Sequence, residues 1–239
     1  MVLTAHQPTY LSWCGLFAKI AMADTFVLFD DVQYCPKDYQ NRNKIWTSHG
    51  PSWLTVPVLH SRDIKIKDVE INNDLPWMRK HWRSIEQSYH KAAHWHEYEK
   101  FFHGLYNNGT WIHLADFNGY ILTQLLKKLD IHVNYLKASD YTFHGTKSEL
   151  ILDMCVKLGA DTYIFGALGK DYADVPAFER AGIQVIFQEY RHPLYSQFGG
   201  AFMSNLSIID LLFHHGPAAL DILMTGNWTA HVTPDLGSI

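Results

Sequence analysis

The chain has 239 residues, of which 47% are apolar, and a formal net charge of -4 at pH 7 with histidine counted as neutral. This composition excludes a disordered or fibrous chain, and the near-neutral charge gives no reason to expect nucleic-acid binding. The 3 cysteines are far apart and odd in number, so we expect reduced thiols. We find neither a secretion signal nor an apolar run of about 20 residues, and therefore expect a cytoplasmic protein with no membrane span.

The first thirty residues have the pattern of a strand, a polar turn, a helix and a second strand. Polar side chains stand where the two strands end, with His6 and Gln7 after the first strand and Asp30 and Asp31 after the second. Open α/β sheets bind ligands at the carboxyl ends of their strands, so we expect a site at this edge. The predicted elements are a strand at residues 1–5, a turn at residues 6–8, a helix at residues 11–23 and a strand at residues 25–29.

A polar arm and two more strands follow in the sequence. Residues 38–48 are polar and residues 53–59 have a strand pattern, with a turn at residues 49–52 between them. We interpret these segments as a hairpin whose polar arm crosses the mouth of the site. Residues 64–71 alternate between apolar and charged side chains, which predicts a strand with one face in water.

The middle of the chain changes to a helical pattern. Residues 77–106 are rich in aromatic residues and histidine at helical spacing, and they predict two helices that divide near Ala93. Residues 112–129 predict another, amphipathic helix. We therefore predict a single α/β domain of residues 1–239 that contains a helical insertion at residues 76–130.

The last third returns to alternating strands and helices. Ser207 is a good residue for the start of the final helix, and we expect the tail after Trp228 to be loosely held. The whole pattern predicts an α/β fold with a mostly parallel open sheet, Rossmann-like and nucleotidyltransferase-like. The predicted strands lie at residues 132–136, 161–165 and 183–187, and the predicted helices at residues 147–158, 175–181 and 208–214.

The turn after the first strand is the first candidate site. A histidine at the carboxyl edge of a sheet can donate to a phosphate or act as an acid or base. The alternative is a turn histidine that bonds to the backbone. Because Pro8 and Tyr10 complete a compact loop, we predict that His6 is catalytic and that Gln7 and Tyr10 contact the substrate.

Carboxylates end the second predicted strand. Adjacent strand residues point to opposite faces of a sheet, so only one of Asp30 and Asp31 is expected to face the cleft. We choose Asp31 as the residue that binds a ribose hydroxyl or a magnesium ion, and Gln33 as a neighbouring contact. A strand-end carboxylate that caps the following loop is an equally supported alternative.

Two segments predict anion binding. Asn41, Arg42, Asn43 and Lys44 combine a planar guanidinium with a mobile ammonium, and the two cations share one face of an extended segment. An exposed basic hairpin is the alternative. The second segment follows the strand at residues 161–165, where backbone amides can cradle a phosphate, although its spacing is not that of a Walker A loop. From it we choose Gly166, Gly169, Lys170, Asp171 and Tyr172 as phosphate-binding candidates.

Metal and nucleophile sites receive no assignment. His90 and His94 are one helical turn apart and could share a metal with Glu97. However, 15 histidines in 239 residues make chance clusters common, and no paired cysteines support a zinc site. Ser12 and Cys14 lie near the start of a helix, but no nucleophile elbow surrounds them.

The sequence resembles the WbqC-like family over nearly its whole length and in the same order. The resemblance departs at Ser12, Leu168 and Ala173, where the family usually has other residues. The motifs that carry it are His6-Gln-Pro-x-Tyr-Leu-x-Trp-x-Gly-x-Phe-x-Lys-Ile, Ala23-Asp-x-Phe-Val, Asp31-Val-Gln-Tyr, Asn41-Arg-Asn-Lys, Gly169-Lys-Asp-Tyr, Gly182-Ile, His192-Pro-x-Tyr-x-Gln-Phe and Leu206-Ser-Ile-Ile-Asp-Leu-Leu-Phe.

This resemblance implies work on bacterial surface polysaccharides. Such proteins are similar to ones encoded among genes for O-antigen and other lipopolysaccharide components. We therefore expect a cytoplasmic transferase that acylates or aminoacylates a nucleotide-linked amino sugar, with ATP or an acyl donor as a second substrate and with magnesium as an option. In this hypothesis His192 is a further catalytic residue, and Tyr195 and Gln197 form the far wall of the cleft.

Two other function classes stay open from the sequence. One is a sugar or nucleotidyl transferase with a metal–diphosphate site at Asp30 and Asp31. The other is a non-catalytic module that binds a sugar nucleotide or a partner enzyme. In each case the expected partner is a small molecule, with no nucleic acid, and the oligomeric state is left open.

Overall fold

An open, mostly parallel sheet organises the chain in the computed structural model, which describes residues 1–198 and 201–231. The elements are β1 (Val2–His6), α1 (Cys14–Ile20), β2 (Thr25–Leu28), β3 (Arg42–Thr47), β4 (Gly50–Thr55), β5 (Val58–Leu59), β6 (Glu70–Ile71), α2 (Trp77–Tyr89), α3 (Trp95–Asn107), α4 (Leu114–Lys128), β7 (Asn134–Lys137), α5 (Ser148–Leu158), β8 (Thr162–Phe165), α6 (Val175–Arg180), β9 (Gln184–Tyr190), α7 (Ile208–His215), α8 (Ala219–Thr225) and β10 (Asn227–His231). Short 3-10 helices lie at Ile66–Asp68, Ala138–Asp140, Ala167–Asp171 and Gly216–Ala218.

The main sheet has six strands in the order β10-β9-β8-β1-β2-β7. The strands β9, β8, β1, β2 and β7 run parallel to one another, and β10 runs antiparallel to β9. From β1 the chain first builds the sheet toward β2 and β7, and it later adds β8 and β9 on the other side of β1. The order of the strands therefore reverses between β1 and β8, which makes this edge the topological switch point. This topology confirms the predicted α/β fold.

Helices cover both faces of this sheet. The side chains of β2 alternate, with Phe26 and Leu28 in the core cluster that contains α1, α4 and α7, and Val27 in the cluster beneath α5 and α6. This alternation is the period of two that a strand imposes. Every residue of α1 is buried, so this helix is held tightly against the sheet and places its side chains reproducibly.

The helices of the middle region agree with the sequence pattern. α2 and α3 are separated at residues 90–94, close to the predicted break at Ala93, and α4 follows them. These three helices lie in the chain between β2 and β7, which are neighbours in the sheet. No helix within residues 1–198 and 201–231 is long and apolar enough to cross a membrane.

Two predicted elements differ from the structure. The helix predicted at residues 11–23 begins only at Cys14, because Leu11 takes a left-handed conformation with φ +44 and ends the preceding turn. The strand predicted at residues 64–71 is wrong over most of its length. The backbone N–H groups of Ile66 and Lys67 donate to the segment after β2, at Val32 (2.8 Å) and Asp30 (3.0 Å), and so bend this stretch into a 3-10 helix.

The hairpin and the C-terminal tail complete the comparison. β3 and β4 pair antiparallel with Lys44 opposite Trp53, which confirms the predicted hairpin. The tail after Trp228 was expected to be loosely held, but residues up to His231 pair with β9 in the sheet, so that expectation is wrong for them. Residues 232–239 of the same prediction lie outside the described residues.

Candidate functional site

A cavity of about 240 Å³ lies at the carboxyl ends of β1, β8 and β9. This is the topological switch point, where open α/β sheets bind their ligands. We call it the switch-point cavity. The side chains and backbone that matter for its chemistry belong to His6, Trp13, Lys19, Gly166, Tyr190 and Asn205.

A larger cavity of about 580 Å³ lies at the opposite edge of the sheet, beside Asp24 and Asn134 at the starts of β2 and β7. We give it less weight for two reasons. It lies at the amino ends of the parallel strands, where ligands of such sheets are not found, and none of the residues predicted to bind substrate lines it.

Lys19 is the most unusual residue of the switch-point cavity. Its side chain is only 4% exposed, and its Nζ donates to the carbonyl of Ala5 at 3.0 Å. Within the described part of the chain it forms no ion pair. Burial lowers the pKa of Lys19 to about 8. A buried ammonium without a carboxylate is costly to the fold, and such a group is suited to receive an anion.

His6 faces the same cavity from the end of β1. Its Nδ1 lies 2.8 Å from the carbonyl oxygen of Gln7, and since a carbonyl only accepts, Nδ1 must carry the proton. The neutral ring then presents Nε2 as an acceptor. Burial, together with the positive charge of Lys19, lowers the pKa of His6 to about 3. The structure thus favours a role as proton acceptor, whereas the sequence left acid and base equally open.

The remaining residues of the first turn are held by the fold. Tyr10 is fully buried, and its hydroxyl hydrogen-bonds to Nδ1 of His81 (2.8 Å) and to the hydroxyl of Tyr106. Those bonds place it in the core, away from any ligand that the cavity could hold, so we correct our expectation of a substrate contact. Gln7 accepts a hydrogen bond from Nε2 of Gln40 at 2.6 Å.

The segment at residues 166–172, after β8, contributes backbone to the cavity and no charged side chain. Gly166 lines the cavity, and Gly169 packs so closely on Phe165 that a Cβ would lie 2.5 Å from that side chain. Lys170 is paired with Glu189 at the surface, so its ammonium is already engaged. Asp171 and Tyr172 are exposed and do not line the cavity.

The carboxylates after β2 have other partners. Asp30 is buried and accepts from the N–H (2.9 Å) and the hydroxyl (2.8 Å) of Ser139, which is the capping role considered for this position. Asp31 forms ion pairs with Lys65 (2.8 Å) and Lys67 (2.7 Å). Burial acts to raise the pKa of Asp31, but the hydrogen bonds from these lysines outweigh it and lower the pKa. Neither carboxylate lines the switch-point cavity.

Gln33 lies near these carboxylates but also has a partner of its own. Its Nε2 donates to Asp63 at 2.9 Å. Within residues 1–198 and 201–231, no group of three or more His, Cys, Asp or Glu side chains is arranged to hold a metal ion. His94 pairs with Glu97 at 2.7 Å, and His90 bonds to the carbonyl of Glu86 at 3.1 Å.

The polar arm divides into two buried amides, Asn41 and Asn43, and two half-buried cations, Arg42 and Lys44. Asn41 donates to the carbonyl of Val56 (2.9 Å) and closes the base of the hairpin, and Asn43 donates to that of Leu11 (2.7 Å) and fixes the hairpin to the body of the protein. Arg42 and Lys44 lie on one face of β3, as predicted for an extended segment. Both cations stand over the ring of Trp53, at 4.4 and 4.8 Å from its centroid.

A path of aromatic rings joins this pair of cations to the cavity. The ring of His6 contacts Trp13 at a centroid distance of 5.3 Å, Trp13 contacts Tyr39 at 6.4 Å, and Tyr39 contacts Trp53 at 5.8 Å. Trp13 itself lines the cavity. His6 and the two cations of β3 are therefore neighbours on one surface, although Arg42 and Lys44 do not line the cavity.

A second polar cluster surrounds Asp210 of α7 and contains two predicted substrate contacts. The Asp210 carboxylate is fully buried and accepts from the hydroxyls of Tyr89 (3.0 Å) and Tyr195 (3.0 Å) and from Nε2 of Gln197 (2.7 Å). We call these four residues the Asp210 cluster. Since Tyr195 and Gln197 direct their polar atoms at Asp210, the structure does not bring them to the wall of the cavity.

His192 follows β9 as His6 follows β1, and its ring is fixed in the same way. Its Nδ1 lies 2.9 Å from the carbonyl of Pro193, which leaves Nε2 as the acceptor. This Nε2 is buried and has no hydrogen-bond partner in the described part of the protein. Burial lowers the pKa of His192. The ring stacks among Tyr190, Tyr195 and other aromatic residues instead of lining the switch-point cavity.

Lys19 and Asp210 were missed as site residues in the sequence analysis. Each is a single charged residue in a run that is otherwise apolar, Leu16-Phe-Ala-Lys-Ile in one case and Ile208-Ile-Asp-Leu-Leu-Phe in the other. Charged residues are almost never fully buried unless they have a partner or a function. A lone charge in an apolar helix was therefore the signal that could have identified both.

Comparison with known proteins places the chain among relatives without an assigned activity. The sequence model of the WbqC-like protein family matches residues 7–222. The uncharacterized protein Rv1507c of Mycobacterium tuberculosis is 33% identical over 223 residues, which cover 91% of this chain and 95% of that protein. No solved structure matches the chain significantly.

Proposed function

The chain belongs to the WbqC-like protein family, and on that premise we propose that it is a cytoplasmic transferase of surface-polysaccharide biosynthesis. The reaction we propose is acylation or aminoacylation of an amino group on a nucleotide-linked sugar. The observation that carries this proposal is the pairing of Lys19 with His6 at the switch-point cavity. One residue supplies an uncompensated positive charge, and the other supplies a fixed proton acceptor.

Transfer of an acyl group to an amine requires both of these functions. The amino nitrogen attacks the acyl carbon and forms the new C–N bond, while the bond from that carbon to its leaving group breaks. Nε2 of His6 accepts the proton that the amine loses and returns it to the leaving group. The ammonium of Lys19 stabilises the negative charge that develops on the acyl oxygen.

The acid–base properties of the two residues are compatible with these roles near neutral pH. With a pKa of about 8, Lys19 is largely protonated at pH 7 in the free protein. With a pKa of about 3, His6 is neutral and its acceptor is open. A negative charge that approaches Lys19 would also raise the pKa of His6, because it offsets the positive charge of Lys19 that lowers this pKa.

The metal–diphosphate alternative has less support from the geometry. It needs at least one strand-end carboxylate that is open to a cation. Asp30 is occupied by Ser139, and Asp31 is held by two lysines. A non-catalytic sugar-nucleotide module would use the same cavity, and it differs from our proposal only in the absence of turnover.

Turnover of a defined substrate pair tests the proposal. The protein would be incubated with sugar nucleotides that carry a free amino group and with thioester or acyl-phosphate donors, and the N-acyl product would be followed by mass spectrometry. We expect Lys19→Met to lower kcat by about 10²–10³, the usual cost of removing one oxyanion donor. If Lys19→Met and His6→Gln both form product at the rate of the parent protein, the mechanism is contradicted.

Lys128→Met is the matched control for this experiment. Burial also lowers the pKa of Lys128, but this lysine is only half-buried, lies on α4 over the ring of Phe101 and does not line the cavity. Its replacement should leave kcat unchanged. If the protein binds a sugar nucleotide but forms no product with any donor, the result would favour the non-catalytic binding module over the transferase.

A further inference from the structure

We infer that the surface formed by the exposed rings of Tyr39 and Trp53 and the half-buried cations of Arg42 and Lys44 is a subsite for the nucleoside diphosphate part of the substrate. We call it the hairpin surface. This inference rests on the proposed function, since it takes a nucleotide-linked sugar as the ligand. It divides that ligand between two places: the sugar amino group reaches the switch-point cavity, and the nucleotide lies outside it on the hairpin.

The size of the cavity requires such a division. Pockets that enclose a drug-sized ligand measure about 300–1,000 Å³. The switch-point cavity measures about 240 Å³, so it accommodates only part of a nucleotide-linked sugar. The rest of the molecule must lie on the surface next to the mouth of the cavity.

The charge on the hairpin surface points to an anionic ligand. Arg42 and Lys44 stand over the same ring of Trp53, and within the described residues neither forms an ion pair with a carboxylate. The acidic residue nearest in sequence, Asp38, uses its carboxylate to accept the N–H of Tyr39 at 2.7 Å. Two like charges held together repel each other, and a diphosphate would remove that repulsion.

Arg42 also has donor capacity left for a ligand. One guanidinium nitrogen donates to the carbonyl of Lys37, while its Nε is buried without any hydrogen-bond partner in the described part of the protein. Buried donors are rarely left unpaired in proteins. A phosphate oxygen is the acceptor that the guanidinium fork fits best.

The hairpin surface is connected to the cavity through the backbone as well as through rings. The carbonyl of Lys44 accepts the N–H of Ser207 at 2.9 Å, and Ser207 in turn pairs with Trp13 in an antiparallel bridge. Hydrogen-bonded backbone segments lie about 4.8 Å apart, so two such steps place the backbones of Lys44 and Trp13 within about 10 Å of each other. One extended ligand can therefore reach both places.

The aromatic members of the surface supply a place for the base. Tyr39 is 38% exposed and Trp53 is 40% exposed, which is high for large rings in a chain with a well-packed core. Nucleobases stack on exposed aromatic side chains whatever their sequence, because every base presents a π face. The hairpin surface thus combines stacking with two cations, as recognition of a nucleoside diphosphate demands.

Titration of the full chain with UDP, ADP and GDP, without any sugar attached, tests this subsite by calorimetry. Arg42→Ala and Lys44→Ala should each weaken nucleoside diphosphate binding by about tenfold or more, as expected for a lost charge-assisted bond. Trp53→Ala should weaken it as well, and the nucleoside without phosphate should bind far more weakly than the diphosphate. Tyr141→Ala is the matched control, because Tyr141 is 41% exposed and its ring stacks on Phe143, outside the hairpin.

The outcomes separate this subsite from the proposed function. Unchanged binding in Arg42→Ala, Lys44→Ala and Trp53→Ala would overturn the subsite, whether or not the protein transfers acyl groups. Binding that is lost in Lys19→Met but kept in the hairpin variants would also overturn it, since the nucleotide would then lie in the cavity. Tighter binding of a single-stranded oligonucleotide than of any nucleoside diphosphate would overturn it in favour of nucleic acid.

Discussion

Two charged side chains are buried in apolar helices of this protein, and the fold treats them in opposite ways. Asp210 on α7 receives three hydrogen bonds from Tyr89, Tyr195 and Gln197. In the part of the chain that the structure describes, Lys19 on α1 has one hydrogen-bond acceptor, the carbonyl of Ala5, and its side chain lines a cavity. A buried charge with a full set of partners maintains structure, whereas one without partners costs stability and is retained for another reason.

The contrast has a consequence for stability. Removing the charge should lower the stability of the protein at Asp210 and raise it at Lys19. Both substitutions nevertheless replace a buried ionisable group by an apolar one. The sign of the stability change therefore distinguishes a structural charge from a functional one, without any knowledge of the substrate.

The largest expected effect is at Asp210. Asp210→Leu removes the acceptor of three hydrogen bonds, one from the buried Tyr89 and two from the half-buried Tyr195 and Gln197. A buried donor left without a partner costs about 1–3 kcal/mol, so we expect a loss of about 3 kcal/mol or more of unfolding free energy. Urea denaturation followed by tryptophan fluorescence would measure it. Asp210→Asn, which keeps one carbonyl acceptor, should lose less. A midpoint for Asp210→Leu equal to that of the parent protein would show that the cluster is not structural.

Lys19→Met should change stability in the other direction. Between its ordinary pKa of 10.5 and its folded value of about 8, the unfolded chain binds the proton more tightly than the folded one. The folded state therefore carries a penalty of up to about 3 kcal/mol below pH 8, which disappears as the pH rises toward 10.5. We expect Lys19→Met to be more stable than the parent at pH 7, and this advantage to shrink above pH 8.

Denaturation curves at pH 7, 9 and 10 would check this behaviour. Lys128→Met serves again as the control, because burial also lowers the pKa of Lys128 but its ammonium lies over the ring of Phe101 and does not line the cavity. If Lys19→Met is less stable than the parent at pH 7, the lysine has a structural partner and the contrast with Asp210 fails.

His6 should make the cavity sensitive to acid. Its folded pKa of about 3 lies below the ordinary 6.5, so the unfolded chain binds more protons between these values. The stability that neutral His6 provides is therefore complete above pH 6.5 and is lost as the pH falls toward 3. His6→Gln should flatten the acid limb of the stability curve. Parallel limbs for the variant and the parent would mean that His6 is charged in the folded protein.

Much of the fold was accessible from the sequence because its signals are local. The apolar runs that became β1, β2, β8 and β9 are short and end in polar residues, and Gly159 ends α5 in a left-handed conformation (φ +71) as its position indicates. The strand predicted at residues 64–71 was wrong because the backbone hydrogen bonds of this segment go to the loop after β2. Apolar and charged residues do alternate there, as the prediction assumed. Such a long-range partner leaves no trace in the local pattern.

The site was accessible only in part, for the same reason. His6 was predicted from its place at a strand end, and its chemistry needs nothing more distant than Gln7 and Trp13. The role of Lys19 could not be predicted, because it depends on the absence of a carboxylate partner among the residues that the structure describes, and local sequence does not show this. For Asp31 the missing information was the presence of partners. Lys65 and Lys67, more than thirty residues later, form ion pairs with Asp31, which is therefore a paired surface charge and not an open metal-binding or ribose-binding group.

The smallest expected effect concerns that surface charge and bears on the metal–diphosphate alternative. Asp31 is about a third exposed, and solvent-exposed ion pairs contribute about 0.2–1 kcal/mol. Asp31→Asn should therefore lower the unfolding free energy by less than about 1 kcal/mol, and added salt should reduce the difference further. Nucleotide binding, measured by calorimetry with and without magnesium, should be unchanged. If binding is lost while stability is kept, Asp31 contacts the ligand or its metal, and the site extends from the cavity to β2.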